Sequence, residues 1–322
     1  MKARIALLVL VLVAVWTAPA FAYKYWGCKP LAMGGAYTAV ANDANAISWN
    51  PAGLTWFNGM KQANVMFNWE RHQYLFGDYS FAHPELQPEE EDDFFHDGVL
   101  YNEEETTDAE ERMIDDWYRV SMVDGYTTKY VAAGFALTSM NFPSRTFQDG
   151  TDYSIDLAVA SGMAELLSFG ITGRYISMVE SSAGQFNMDV GALLKPGGFL
   201  GIGLVGRNLI GSEYPRLVRR EIALGLAGFI LNYATVSFDI AKVFDVTDLD
   251  NTINFAVGAE GIVAKVLAIR GGFNWDQVDQ SRLYSVGVGY VDKMGQLTYT
   301  FQGSVDEYRE FAHSLQIAIS FP

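Results

Sequence analysis

The chain has 322 residues, half of them hydrophobic and 14% aromatic, with 31 glycines and a formal charge of −16 at pH 7. That charge excludes nucleic acid as a partner, since binding phosphates requires basic stripes, and the single cysteine, Cys28, excludes an internal disulfide. No apolar run reaches the ~18 residues of a membrane-crossing helix, so the spacing of the apolar residues has to reveal the fold.

Lys2 and Arg4 precede an apolar stretch from Ile5 to Trp16, and Ala20-Phe21-Ala22 follows as a small-x-small cleavage site. Residues 1–22 therefore read as a secretory signal, with Tyr23 as the mature N-terminus. Tyr25 and Trp26 are the wrong neighbours for lipid modification of Cys28, which reads as a small packed side chain. Next comes a run rich in small residues, Gly34 to Leu54. An acidic stretch follows: from Glu85 to Asp116 there are 15 Asp or Glu against one Arg, Arg112.

From Thr127 onward the pattern has a period of two. Leu315, Ile317, Ile319 and Phe321 alternate with Ser314, Gln316, Ala318 and Ser320, which places one face of a strand in an apolar medium. Leu297, Tyr299 and Phe301 repeat the alternation, as do Phe186, Met188, Val190 and Ala192. In Tyr284–Tyr290 two tyrosines bracket two valines on one face, ~20 Å apart at strand rise. Aromatic, apolar, aromatic is the sequence of a lipid-facing strand that crosses both interfacial girdles. Strands are expected near 127–140, 153–165, 166–180, 184–196, 199–211, 216–230, 232–245, 252–264, 266–277, 283–292, 296–305 and 312–321. Short connections alternate with longer ones, as in transmembrane barrels. Two further strands before or within the acidic region make an even count of fourteen.

On these strands Asp156, Arg174, Asp189, Arg207, Asp239, Glu260, Arg270 and Asp276 fall at inward positions. On the lipid face near mid-membrane one arginine would cost ~2–4 kcal/mol, so these residues are candidates to line the lumen. Both signs are present. The charges either pair with one another and hold the interior together, the favoured reading because buried charges need partners, or line a selective pathway.

Gly201-Ile202-Gly203-Leu204-Val205-Gly206 spells a dinucleotide-binding fingerprint, but it lies within an alternating strand after a Pro-Gly-Gly turn rather than between a strand and a helix. Small residues facing a crowded lumen account for it. His72, His83, His96 and His313 lack metal-ligand spacing, and no nucleophile–base pair stands out. The sequence offers no catalytic residues, no metal site and no cofactor.

Gly27-Cys28-Lys29-Pro30-Leu31-Ala32-Met33-Gly34-Gly35-Ala36 resembles the opening of the PorV/PorQ branch of the long-chain fatty-acid transporter (FadL) superfamily. Asp43-Ala44-Asn45-Ala46-Ile47-Ser48-Trp49-Asn50-Pro51-Ala52-Gly53-Leu54 resembles that branch's most specific motif. Asp189-Val190-Gly191, Arg207-Asn208-Leu209-Ile210-Gly211, Arg270-Gly271-Gly272-Phe273 and His313-Ser314-Leu315 also fit, so the resemblance covers roughly 27–83 and 127–322. It implies an all-β protein: a 14-stranded antiparallel transmembrane β-barrel over 61–322 in the bacterial outer membrane, with residues 23–60 as a plug inside the lumen. In that role Gly34 and Gly35 allow close backbone approach, Asn50-Pro51 fixes a turn, and Gly53 accepts backbone angles that other residues avoid.

The acidic insertion, at about 84–126, is not part of the family pattern. Met113, Ile114 and Trp117 give Asp108–Arg119 a narrow apolar stripe of helical character. If 61–83 holds two strands, the insertion is periplasmic. If 61–83 is one long strand, Trp117–Val123 is the second and the acidic loop is extracellular. The family pattern favours the first placement and the general preference for long outer loops the second; the periplasmic placement is preferred. Three functions follow from the resemblance: a passive channel for hydrophobic small molecules, which is preferred; a PorV-like cargo-binding or partner-docking barrel in type IX protein secretion, with a secretion-system or periplasmic protein as partner; or a structural barrel whose periplasmic or outer segment docks a partner. Outer-membrane lipid is a partner in each.

Overall fold

The computed structural model describes residues 27–60, 63–75, 112–124, 131–145, 148–163, 166–177, 184–211, 218–231, 233–244, 252–278, 281–305 and 311–321. The signal segment lies outside them. The strands are β1 Ala63–Leu75, β2 Arg112–Asp124, β3 Val131–Arg145, β4 Gln148–Met163, β5 Leu167–Ser177, β6 Gln185–Leu194 and β7 Leu200–Arg207, followed by β8 Arg220–Ile230, β9 Ala234–Phe244, β10 Ile253–Val263, β11 Leu267–Asp276, β12 Ser281–Asp292, β13 Gly295–Ser304 and β14 Phe311–Phe321. Each pairs antiparallel with its neighbours in sequence, and β1 pairs with β14 from Ala63↔Phe321 to Gln73↔Phe311, closing a fourteen-stranded barrel. Closure leaves no unpaired strand edge, the condition for a sheet to cross lipid.

Alternation sorts the two faces of this wall sharply. On β4 Leu157 is 61% exposed on the outside, while its neighbour Asp156 is fully buried. Outward Phe169 and Ile171 on β5, Leu224 and Leu226 on β8, and Val286 and Val288 on β12 continue the apolar belt, with Tyr153, Tyr175, Tyr284 and Tyr290 among the aromatics on the same outer face. So much contiguous exposed apolar surface is matched by a bilayer, not by water. Among the described residues no helix is long and apolar enough to cross a membrane.

The connections at the end where β1 begins and β14 finishes are short. Pro196–Gly198 forms one turn, with Gly197 at φ 64° and Gly198 at φ 74°. Ala264 and Lys265 (φ 52° and 65°) reverse the chain between β10 and β11, and Leu231 (φ 46°) helps do so between β8 and β9. At the opposite end the strands are joined by residues 76–111, 178–184, 208–219 and 245–252, among others.

The first two strands correct the preferred sequence reading. Among the described residues one strand, not two, precedes the acidic stretch, and Arg112–Asp124, expected to be insertion and partly helical, is β2. Trp117, Arg119, Ser121 and Val123 are buried inward, while Tyr118 faces out. This period of two runs from Asp116 to Asp124, whereas the helical stripe rested on three residues near the start of the strand. The insertion thus shortens to 76–111 and joins β1 to β2 at the long-loop end, as in the less favoured placement.

Candidate functional site

Residues 27–56 lie inside the barrel and carry two short helices, Cys28–Ala32 and Ala46–Trp49, with a 3-10 helix starting at Pro51. Hydrogen bonds tie this segment to strands all around the wall. The Gly27 amide donates to Glu70 on β1 (2.8 Å), and Thr300 on β13 donates to the Cys28 carbonyl (2.8 Å). On β9, Asp239 accepts the amides of Tyr37 (3.0 Å) and Thr38 (2.7 Å), while Ser237 donates to the Ala36 carbonyl (2.7 Å). Thr172 on β5 donates to the Ile47 carbonyl (2.7 Å), and Arg207 on β7 to the Trp49 carbonyl (2.9 Å).

The motif residues each have a defined place. Gly34 and Gly35 have φ of 62° and 82°, and a side chain on Gly34 would overlap the Phe273 backbone on β11. Asn50 is fully buried and extended. Its Nδ2 donates to the carbonyls of Thr38 (2.9 Å) and Ala192 (3.3 Å), and its Oδ1 accepts from Ala52 (3.2 Å), just as Pro51 opens the 3-10 helix. Gly53 differs from expectation. Its φ is not in the left-handed region; it is glycine because a Cβ would run into the Ala41 carbonyl. Close approach, not unusual backbone angles, is the constraint there.

Most of the barrel meets the segment with glycine. A Cβ on Gly170, Gly191, Gly203, Gly258 or Gly272 would overlap atoms of the segment, chiefly its backbone. Gly203 belongs to the discarded dinucleotide-like motif, and its place against Thr38 explains the small residues there.

The eight charged candidates all sit on inward strand positions. Asp156, Arg174 and Asp189 form one network: Arg174 Nε is 2.9 Å from Asp156 and Nη1 2.8 Å from Asp189. Arg119 on β2 reaches the other Asp156 oxygen, Oδ2 (3.2 Å), and Ser48 of the segment donates to that oxygen as well (3.0 Å). Arg207 pairs with Glu221 and stacks over the Trp49 ring at 5.3 Å. Glu260 accepts from Arg270 (2.7 Å) and lies 3.3 Å from Lys29 of the segment. Asp276 pairs with Arg219 (2.6 Å). Seven of these charges are in ion pairs, and the eighth, Asp239, takes the segment's backbone amides.

Arg119, Asn208, Arg219, Glu221, Glu70 and Lys29 belong to the same polar interior but were not singled out by sequence. Arg119 was hidden in the presumed insertion. Asn208 had a legible signal, an asparagine just after a strand: at φ 52° its amide donates to Asp189 (2.8 Å), and its Oδ1 accepts from Arg174 (3.2 Å).

Between the segment and the long-loop end lies a cavity of about 130 Å³, lined by Leu31, Trp49, Trp117, Phe255 and Leu283 among apolar groups, and by Arg219, Asp276, Asn254 and Asn274 among polar ones. His72 packs against Trp117 at its wall, with ring centroids 3.8 Å apart. Among the described residues no three potential metal ligands converge.

Burial holds Cys28 as a neutral thiol: desolvation pushes its pKa up to about 12, against the opposing hydrogen bond with Ser314. A maleimide is therefore expected to leave Cys28 unmodified in the folded barrel at pH 7–8 and to label it fully in denaturant, since only the accessible thiolate reacts. Mass spectrometry of the two samples checks this; equal labelling would contradict the placement of the segment.

No protein-family model and no curated protein matches the sequence. The fold is similar to that of a Pseudomonas aeruginosa FadL homologue, with TM-score 0.60 and 13% identity over 94% of this chain and 98% of that one. It is also similar to the P. putida toluene transporter TodX (TM-score 0.54, 12% identity, 92% of this chain and 97% of that one). A TodX deletion mutant, described as a monoaromatic hydrocarbon channel, gives TM-score 0.58 at 13% identity over 92% and 98%. At these identities the shared property is the fold, a FadL-like fourteen-stranded barrel.

Proposed function

We propose that the protein is a bacterial outer-membrane channel for small, largely apolar molecules, with residues 27–56 as its plug. The observation that carries this is the cavity of about 130 Å³ roofing the plug. A space on the order of 150 Å³ holds one benzene ring, so the volume suits a single-ring molecule rather than an extended acyl chain. The charges at its rim are paired, Arg219 with Asp276 and Arg207 with Glu221, which favours a neutral ligand over a carboxylate. The apolar outer belt and the short turns at the end where both β1 and β14 terminate support the outer-membrane location. The likeness to TodX, whose described cargo is toluene and monoaromatic hydrocarbon, points the same way.

The test is toluene binding to the purified protein. Leu283→Trp, which fills the cavity, is expected to weaken binding at least tenfold by native mass spectrometry while the barrel stays folded. Unchanged binding would remove the cavity from the mechanism. One observation favours a second reading: the plug is bonded to strands all round the wall, as befits a fixed barrel that docks a partner, in the manner of PorV in type IX secretion. Co-purification of a protein from the native membrane, with no small ligand bound, would support that reading.

A further inference from the structure

The two ends of the barrel differ in charge as sharply as the two faces of its wall. By position in the chain, the short-turn end comprises the lead into β1 at 61–62 and the connections 125–130, 164–166, 195–199, 231–233, 264–266 and 293–294. These hold five lysines, Lys61, Lys129, Lys195, Lys265 and Lys293, and one carboxylate, Glu165. Asp124 and Asp292 end the adjoining strands β2 and β12, and the balance stays positive. At the other end, residues 76–111 alone hold 14 carboxylates and no lysine or arginine. A chain of net charge −16 thus gathers its lysines at one end.

Apolar side chains share this rim. Leu166, Phe199, Leu231 and Met294 are exposed in four of its turns. Leu231 is 82% exposed although its φ is 46°, and Ala264 and Lys265 take two successive positive-φ places. Asn and Gly are the residues such places favour, so turn geometry does not select leucine or lysine here. Lys265 and Lys293 are exposed, and Lys195 lies over the rings of Trp56 (4.7 Å) and Phe229 (4.4 Å), which holds it at the rim. Backbone amides tie each turn to the next. Lys195 donates to Leu166 (2.7 Å), Phe229 to Phe199 (2.8 Å), Ile262 to Tyr233 (2.7 Å), Val291 to Val266 (2.7 Å) and Ser320 to Met294 (2.9 Å). From β4 to β14 the rim is therefore one continuous band.

We propose that this rim binds the anionic phospholipids of the leaflet it meets, its lysines taking headgroup phosphates while its apolar tips enter the acyl border. Lysine near an anionic lipid surface adds an attraction that falls off within a Debye length. Apolar side chains beside cations are the pattern of segments that lie at the headgroup boundary. Two observations select lipid over a protein partner. The rim continues the apolar belt of the outer wall, and it follows the turns around the barrel rather than gathering on one side. Lipid binding here requires the protein to be the membrane barrel proposed above, and it is independent of what the cavity holds.

The experiment is electron spin resonance of spin-labelled phosphatidylglycerol and phosphatidylcholine in phosphatidylcholine bilayers that hold the purified protein. Wild type is expected to keep phosphatidylglycerol in its motionally restricted shell at least about threefold over phosphatidylcholine. That preference should vanish at about 1 M salt, where the screening length is about 3 Å. Lys195→Gln, Lys265→Gln and Lys293→Gln combined should bring the ratio to about one, whereas Lys195→Arg, Lys265→Arg and Lys293→Arg combined should keep it. Heat-modifiable migration on gels shows that each variant is folded. Equal retention of both lipids by wild type would overturn the proposal. So would a folded glutamine variant whose lipid preference is undiminished, whether or not it sheds a co-purifying protein. Were neither lipid restricted, the membrane barrel itself would fall, and the lipid rim with it.

Discussion

Asp156→Ala is expected to destabilise the barrel by about 3–5 kcal/mol, the usual result of removing one partner from a buried charge network. Asp156 receives both Arg119 and Arg174, at side-chain exposures of 1% each. Without it the two guanidiniums face each other across the interior, and Ser48 of the plug loses its acceptor. Arg71 and Asp116 provide the contrast: they pair at 2.7 Å, but Arg71 is 38% exposed. Asp116→Ala should cost under about 1 kcal/mol, as exposed pairs do. Urea unfolding in detergent micelles, followed by heat-modifiability, measures both; equal midpoints would mean that the inner network contributes no more than a surface pair.

The second large effect is steric. In Gly272→Val the new Cβ would occupy the position of the Gly34 backbone, and nothing there is the flexible end of a side chain. The barrel wall is continuous through β10, β11 and β12, so the plug is the part that yields. The expected result is a barrel that still migrates as folded while Cys28 becomes open to maleimide, with labelling rising at least tenfold. Gly228→Ala is the control, because no atom lies within 4 Å of its added Cβ, and it should label as wild type. A Gly272→Val protein whose Cys28 stays protected would show that the wall, not the plug, gives way.

Strand positions were legible because one bit of information, in or out, alternates along every strand and is written in side-chain polarity. For β12 and β14 the expected and observed limits differ by two residues or fewer at each end. The acidic stretch misled for a physical reason. Its carboxylates dominate composition up to Asp116, and β2 begins inside it, at Arg112. Only Trp117 onward carries the alternation clearly, and Tyr118, Val120 and Met122 on the outside are weakly patterned beside the charges.

The inward charges were legible one by one, but their partners were not. Pairing depends on which strands face each other inside a closed cylinder. Arg119 and Asp156 belong to β2 and β4, with β3 between them, a relation that no local pattern encodes. The same holds for Gly53, where the decisive neighbour, Ala41, is brought close by the fold of the plug. Asn208 was the residue a closer local reading could have found.

The charged inner wall has a consequence for the cell. Eight-stranded barrels fill with their own side chains, whereas sixteen or more strands leave an aqueous channel. Fourteen strands fall between these limits, and this barrel, with glycines over much of its inner face, has little wall side-chain bulk with which to fill its bore. Residues 27–56 supply the missing bulk. A shortened gene product lacking them would present Asp156, Arg174, Arg207 and Asp239 to bulk water, with both signs of charge lining an open bore. In the outer membrane, where the protein is proposed to lie, antibiotics and detergents that the envelope keeps out would meet a wider bore, so the loss of one short segment would bear on the permeability barrier of the whole cell.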